Sequence, residues 1–182
     1  MTARMPTRAT DALARSNIEF LRQGRELIER LSDGDFADLA PGSSRGGVGA
    51  HFRHVLDHYV CFLRGIEGGT VDYDLRDRAL DLERVRASAV AKIDETCGAL
   101  GDLSPSALLR PLAILVDCAE PAERLASPST IARELQFLVS HTVHHYAVIA
   151  ALLRARGIEP GVDFGVAPST LKYERGNALC AR

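Results

Sequence analysis

All six histidines of this chain lie in two short windows of the sequence, separated by about eighty residues. They are His51, His54 and His58 in the first window and His141, His144 and His145 in the second. Imidazole is the commonest metal ligand among protein side chains, and it titrates near neutral pH. His141 and His145 stand four residues apart, a spacing at which two imidazoles on one helical face can chelate an ion. The pattern predicts a metal site between two packed helices.

Both windows fall within segments of helical periodicity. At about 100° per residue, the three histidines of the first window lie within about 60° of one another on one helical face. Arg53, Asp57 and Arg64 fall on the opposite side, which we expect to face water. On the later helix, His141 and His145 lie near the middle of the apolar arc, and His144 lies toward its edge.

Four segments repeat apolar residues at steps of three and four, which is typical of amphipathic helices. They cover about residues 11–32, 48–66, 80–100 and 130–156. Glycine and proline clusters separate them, and residues 112–118 could form a short strand or an extended segment. The sequence therefore predicts an all-α fold, a four-helix bundle with long connecting loops.

The chain length of 182 residues predicts a single domain spanning residues 1–182. Its core should cover about residues 11–157, followed by an irregular tail over residues 158–182. The tail carries Phe164 and Val166, which are too apolar for a solvated segment, so we expect residues 163–170 to pack back on the bundle.

Composition excludes several classes of partner. Lys and Arg number 22 against 24 Asp and Glu, a net charge of -2, so the overall electrostatic field does not favour binding to nucleic acid or anionic membranes.

Residues 1–10 contain no apolar signal-peptide core, and no apolar run reaches the length of a membrane span. Four cysteines show no CxxC spacing, which argues against a zinc knuckle or redox pair. We expect a cytoplasmic protein.

The metal interpretation competes with a simpler one, in which inward histidines are hydrogen-bonded core residues or sense pH. Two clusters on two helices favour the metal, because imidazoles buried without partners would cost about 1–3 kcal/mol each. The segment HTVHH lacks the glutamate of HExxH, so a metalloprotease mechanism loses its general base. Glu134, two turns before His141, could orient a ligand or accept a proton, or be an ordinary glutamate at a helix start.

The pattern AHFRHVLDHY, followed by SHTVHHYAVIAALL, resembles the DinB/YfiT-like superfamily of metal-binding four-helix bundles. The resemblance implies His54 as the ligand from the second helix, and His141 and His145 as the HxxxH pair of the last helix. Helical geometry instead places His51 and His58 nearer the centre of the inward arc, so His58 remains the alternative to His54.

The resemblance also implies a function. Relatives in this superfamily include metal-dependent S-transferases that use low-molecular-weight thiols such as bacillithiol, mycothiol or glutathione. We therefore expect a small-molecule thiol substrate, a divalent zinc, nickel or iron ion, and a homodimer. The alternative is a non-catalytic metal-binding or stress-associated bundle that acts through dimer or partner contacts.

Overall fold

A computed structural model of the protein describes residues 7–37, 46–117 and 125–180, with side chains described within residues 12–176 of these ranges. The helices are α1 (Thr7–Arg30), α2 (Asp33–Ala37), α3 (Val48–Gly68), α4 (Asp81–Arg84), α5 (Arg86–Gly101), α6 (Ile131–Arg154) and α7 (Pro168–Cys180). The strands are β1 (Thr70–Asp72), β2 (Pro111–Leu115) and β3 (Ala126–Thr130), and a short 3-10 turn covers Pro105–Ala107.

The four long helices α1, α3, α5 and α6 surround one apolar core. Helix α1 packs against α5 and α6, and α3 packs against the same two helices. The mainly helical fold is confirmed, as are the helices predicted over residues 11–32, 48–66 and 130–156. None of the helices in the described ranges combines the length and apolar character needed to cross a membrane.

The two helices that carry histidines begin and end at residues suited to those places. Helix α3 ends at Gly69, whose φ of 77° is left-handed, a conformation that glycine adopts without steric penalty. Helix α6 begins after Thr130, whose hydroxyl accepts a hydrogen bond from the backbone N–H of Arg133. These local signals fix where α3 ends and where α6 begins, and so help to determine which turns of the two helices face each other.

A three-stranded sheet corrects the expectation of an all-α fold. Strand β2 pairs in parallel with β1 and antiparallel with β3. Only Leu112 and Ile114 of β2 are buried, and β3 has the sequence ASPST. Neither strand is long enough to show a clear two-residue period, so the pattern could not reveal the pairing. Residues 111–115 form the strand suggested at 112–118, whereas Cys118 lies outside the described residues.

The third predicted helix, over residues 80–100, is in fact two helices. The chain is extended at Val85, with φ -118° and ψ 105°, which separates α4 from α5. Helix α4 lies so close to α3 that a Cβ on Gly49 would come within 2.0 Å of the Glu83 carbonyl oxygen. The break at Val85 allows α4 to pack directly against the start of α3, so it is explained by tertiary packing and not by the local sequence.

The tail is more ordered than the sequence indicated. Residues 158–182 were expected to be irregular, but Pro168–Cys180 forms α7. The expected packing of the preceding segment is confirmed at Phe164, which is buried and stacks on Tyr146 with ring centroids 4.6 Å apart. Gly165 has φ of 75°, and a Cβ there would lie 2.5 Å from the Ala147 backbone nitrogen. Only glycine fits this contact with α6.

Candidate metal centre

Helices α3 and α6 are neighbours, and their histidines meet at the interface between them. The Nε2 atoms of His54 and His141 lie 3.1 Å apart. His58 joins them, because one potential ligand atom from each of the three residues lies within 4.8 Å of the other two. Imidazole nitrogens bound at about 2.0–2.1 Å to one tetrahedral ion would lie about 3.3 Å from each other. The spacing of His54 and His141 therefore fits a shared ion.

His145 lies beside this group but also has another partner. The centroid of its ring is 4.5 Å from that of His54 and 4.5 Å from that of His141. Its Nδ1 atom lies 3.0 Å from Nδ1 of His51. The structure thus brings all three residues implied by the resemblance into one cluster. The alternative, His58, is at least as close, with its ring centroid 4.5 Å from that of His54 and 4.0 Å from that of His141. Which imidazoles bind a metal stays a prediction.

The orientation of His58 is set by its own helix. Its Nδ1–H donates to the backbone carbonyl oxygen of His54 at 2.9 Å, and its ring stacks on Tyr73 at a centroid distance of 5.3 Å. A proton held on Nδ1 leaves the lone pair of Nε2 available. This is how backbone carbonyls commonly orient histidines that bind metals.

Burial keeps these imidazoles neutral. It lowers the pKa of His54 to about 3 and that of His141 to about 2, with a smaller contribution from neighbouring imidazoles. The pKa of His145 falls to about 4 for the same reasons, with His51 as the main neighbour. Neutral imidazole is the form that binds metal ions. His141 Nδ1 is buried and has no hydrogen-bond partner among the residues that the structure describes, so the described part of the cluster leaves polar capacity unsatisfied.

An aromatic wall covers one side of the cluster, and sequence reasoning missed it. Tyr73 and Phe137 lie 5.3 Å apart between ring centroids, and Phe137 lies 5.6 Å from the His141 ring. The Tyr73 hydroxyl donates to Glu134 at 2.8 Å, and Ser129 donates to the same carboxylate at 2.5 Å. Glu134 therefore holds Tyr73 in place rather than contacting a histidine. Tyr73 lies in the connection after β1, whose sequence has no repeat that could place it here.

Charged residues around α3 also differ from expectation. Asp57 was expected to face water, but it is buried and accepts a hydrogen bond from Arg53 at 3.3 Å. Burial raises the pKa of Asp57, and Arg53 opposes that shift. Arg64 is exposed and pairs with Asp77, as expected of a surface arginine. Arg76, which the sequence did not single out, places its Nη1 atom 3.2 Å from His54 Nδ1.

A comparison with protein families decides the relationship that the histidine motifs suggested. The model of the family described as the DinB family matches residues 5–171. The chain belongs to the DinB family. Together with the cluster of His54, His58 and His141, membership is compatible with a DinB-like protein that binds a metal.

A curated relative is similar over part of the chain. FK506-binding protein 5 from Rhizopus delemar is 32% identical over 104 residues, which cover 57% of this chain and 27% of that protein. The chain thus spans about a quarter of the length of that relative. Similarity of this extent is too partial to transfer the activity of the relative to this chain.

Proposed function

We propose that this protein is a metal-dependent DinB-type enzyme that activates a low-molecular-weight thiol for attack on an electrophile. In this proposal α1, α3, α5 and α6 form the four-helix bundle of the family, and α3 and α6 supply the ligands. The observation that carries it is the 3.1 Å separation of the His54 and His141 Nε2 atoms, in rings that burial keeps neutral.

His54 and His141 would hold the metal with a third imidazole. Family resemblance favours His145 as the third ligand, whereas the tight grouping of ligand atoms favours His58. Zinc, nickel and iron(II) all accept nitrogen-rich ligand sets. Three imidazoles leave a coordination position open, and a metal there would lower the pKa of a bound thiol and polarise a substrate atom.

The two cysteines whose side chains the structure describes are poor candidates for the reacting thiol. Among the described residues, Cys61 and Cys97 are free. Burial raises the pKa of Cys61 to about 11 and raises that of Cys97 as well. Because the thiolate is the nucleophile, neither residue supplies it near neutral pH. A small-molecule thiol fits the site better.

The aromatic wall gives the site its boundary. Tyr73 and Phe137 exclude water from the side of the cluster occupied by His58 and His141. Beyond the wall lies a cavity of about 360 Å³, lined by residues of β2, β3 and the first turns of α6. Tyr73 and Phe137 line this cavity and the histidines do not, so the wall separates the cavity from the ligand atoms.

A second candidate is a non-catalytic metal-binding bundle. The hydrogen bonds of Glu134 favour this non-catalytic candidate. The buried carboxylate accepts from Tyr73, Ser129 and Arg133. A carboxylate engaged in this way is not free to accept a proton from a substrate. Activity toward a thiol and an electrophile separates the two candidates.

The test begins with elemental analysis of protein purified without an affinity tag, which should contain about one metal ion per chain. His54→Ala and His141→Ala should each remove most of that metal, since a site with three ligands binds weakly after losing one. His144→Ala, a change at an exposed histidine, is the matched control and should retain it. Comparison of His58→Ala with His145→Ala identifies the third ligand. Equal metal content in all these variants would contradict the proposal.

The metal-loaded protein is then assayed with glutathione or mycothiol and a chlorinated aromatic electrophile. Thiol conjugation that is lost in His141→Ala and retained in His144→Ala supports the enzyme. A protein that binds metal stoichiometrically but conjugates none of these thiols would be the non-catalytic bundle.

A further inference from the structure

We propose that Arg76 forms a binding site for the carboxylate group of a small-molecule ligand at the edge of the histidine cluster. The inference rests on the proposed function, because the ligand is taken to be the thiol that binds there. It adds a recognition element that lies outside both histidine windows.

Arg76 is a partly buried cation that forms no ion pair with any described residue, although its charge also acts on the buried carboxylate of Asp57. Among the described residues no carboxylate lies within ion-pair distance of its guanidinium, and its one hydrogen-bonding contact is with His54 Nδ1 at 3.2 Å. Its Nε atom is buried and finds no hydrogen-bond partner within the described ranges. The imidazoles around it are neutral or cationic, so they supply no negative charge to balance it. An unpaired charge in such a place is costly, and an anion that binds it relieves the cost.

The backbone on either side of Arg76 is tied to α3. Cys61 Sγ donates to the Leu75 carbonyl oxygen at 3.5 Å, and Asp77 pairs with Arg64. These contacts hold the connection between β1 and α4 against the helix that carries His54. The fold therefore keeps the backbone of Arg76 beside the cluster, within reach of His54.

Hydrogen-bond chemistry shows that the contact between Arg76 and His54 cannot persist once His54 binds a metal through Nε2. A guanidinium only donates, so in the structure Nδ1 of His54 accepts and the imidazole proton lies on Nε2, directed at His141. A histidine that ligates through Nε2 carries its proton on Nδ1 instead. Two donors would then face each other.

A carboxylate would balance the charge of Arg76 and would also accept hydrogen bonds from the two donors that face each other. Its two oxygens can accept from the guanidinium in the paired geometry that arginine favours, and also from the Nδ1–H of His54. Carboxylates commonly accept from the second nitrogen of metal-binding histidines, and here the ligand would supply the group that the protein lacks. Recognition of a carboxylate would select thiols that carry one from thiols that do not.

The test uses full-length protein loaded with cobalt(II) and two probes that differ only in charge, 3-mercaptopropionate and 3-mercaptopropionamide. Calorimetric titration should show that the wild type binds the acid more tightly than the amide by about tenfold, as expected for a charge-assisted hydrogen bond. Arg76→Gln should abolish that preference, and Arg76→Lys should retain part of it. Arg78→Gln, an equal charge change at an exposed residue of the same connection, should leave it intact.

A second readout separates a recognition role from a merely structural one. A glutamine oxygen can accept from His54 Nδ1–H, so Arg76→Gln should bind cobalt more tightly than the wild type when no probe is present, by about tenfold. A structural role predicts equal or weaker binding.

The possible failures are distinguishable. A wild type that binds no cobalt overturns the proposed function and this inference with it. Cobalt binding with the same preference for the acid in Arg76→Gln overturns this inference alone. Equal weakening of both probes in Arg76→Gln would mean that Arg76 responds to the thiolate, which also overturns the carboxylate site.

Discussion

Acid should destabilise the metal-free protein through its histidine cluster. Burial lowers the pKa of His54, His141 and His145 to about 3, 2 and 4, against an ordinary value of 6.5. In the unfolded chain these imidazoles take up protons as the pH falls below 6.5, whereas in the folded protein they stay neutral. The unfolded state then binds more protons, so the free energy of unfolding decreases as the pH falls through this window.

The size of the effect follows from the same three residues. At a pH one unit below 6.5, each imidazole that stays neutral only in the folded state lowers the free energy of unfolding by about 1.4 kcal/mol. Three independent imidazoles would give about 4 kcal/mol. Their rings are partly exposed and screened by solvent, so we expect about 2 kcal/mol. That is a large part of the roughly 5–15 kcal/mol by which domains are stable.

The assay is urea denaturation in the presence of a chelator at about pH 7.5 and about pH 5.5. His141→Asn removes one of the titrating groups, so its loss of stability between the two conditions should be smaller than that of the wild type. Burial also lowers the pKa of His51 and His58, which remain in the variant and keep part of the effect. His144→Gln, at an exposed position, should behave as the wild type. Unfolding free energies that agree within about 0.5 kcal/mol at the two pH values would refute the reasoning.

Three further predictions concern packing and assembly. Phe164→Ala should lower the free energy of unfolding by about 3–5 kcal/mol, because it removes a buried ring stacked on Tyr146; Tyr173→Ala, at an exposed position, should change it by less than about 0.5 kcal/mol in the same urea titration. Glu134→Gln should cost about 1–3 kcal/mol, since an amide cannot accept from Tyr73 through one oxygen and from Ser129 through the other; an unchanged unfolding midpoint would contradict this. Sedimentation equilibrium should give about twice the chain mass of 19.7 kDa, and a monomer at micromolar concentration would remove the homodimer.

Local patterns in the sequence were sufficient for the helices and for the meeting of the two histidine windows. Helical periodicity is a property of neighbours three and four residues apart, so α1, α3 and α6 could be recognised without knowing what they pack against. The same periodicity placed His54 and His141 on inward faces, and the structure brings their Nε2 atoms to 3.1 Å. The resemblance carried by these motifs is confirmed by the match to the DinB family.

The features that could not be predicted from the sequence depend on contacts between segments distant along the chain. His58 and His145 flank the same pair of imidazoles, and the choice between them turns on fractions of an ångström in how α3 meets α6. The sheet joins strands too short to show a period, and Asp57 is buried on a face that the periodicity of α3 alone would leave in water.

The clearest division is between the histidines and the residues around them. By itself the sequence determined that two helices would present imidazoles to each other, because residue type and a helical period are enough to define a face. Only the tertiary structure decided that Tyr73 stacks on His58 and that Arg76 reaches His54. Both come from the connection after β1, whose path is set by sheet pairing and by contacts with α3 rather than by any repeat in its own sequence.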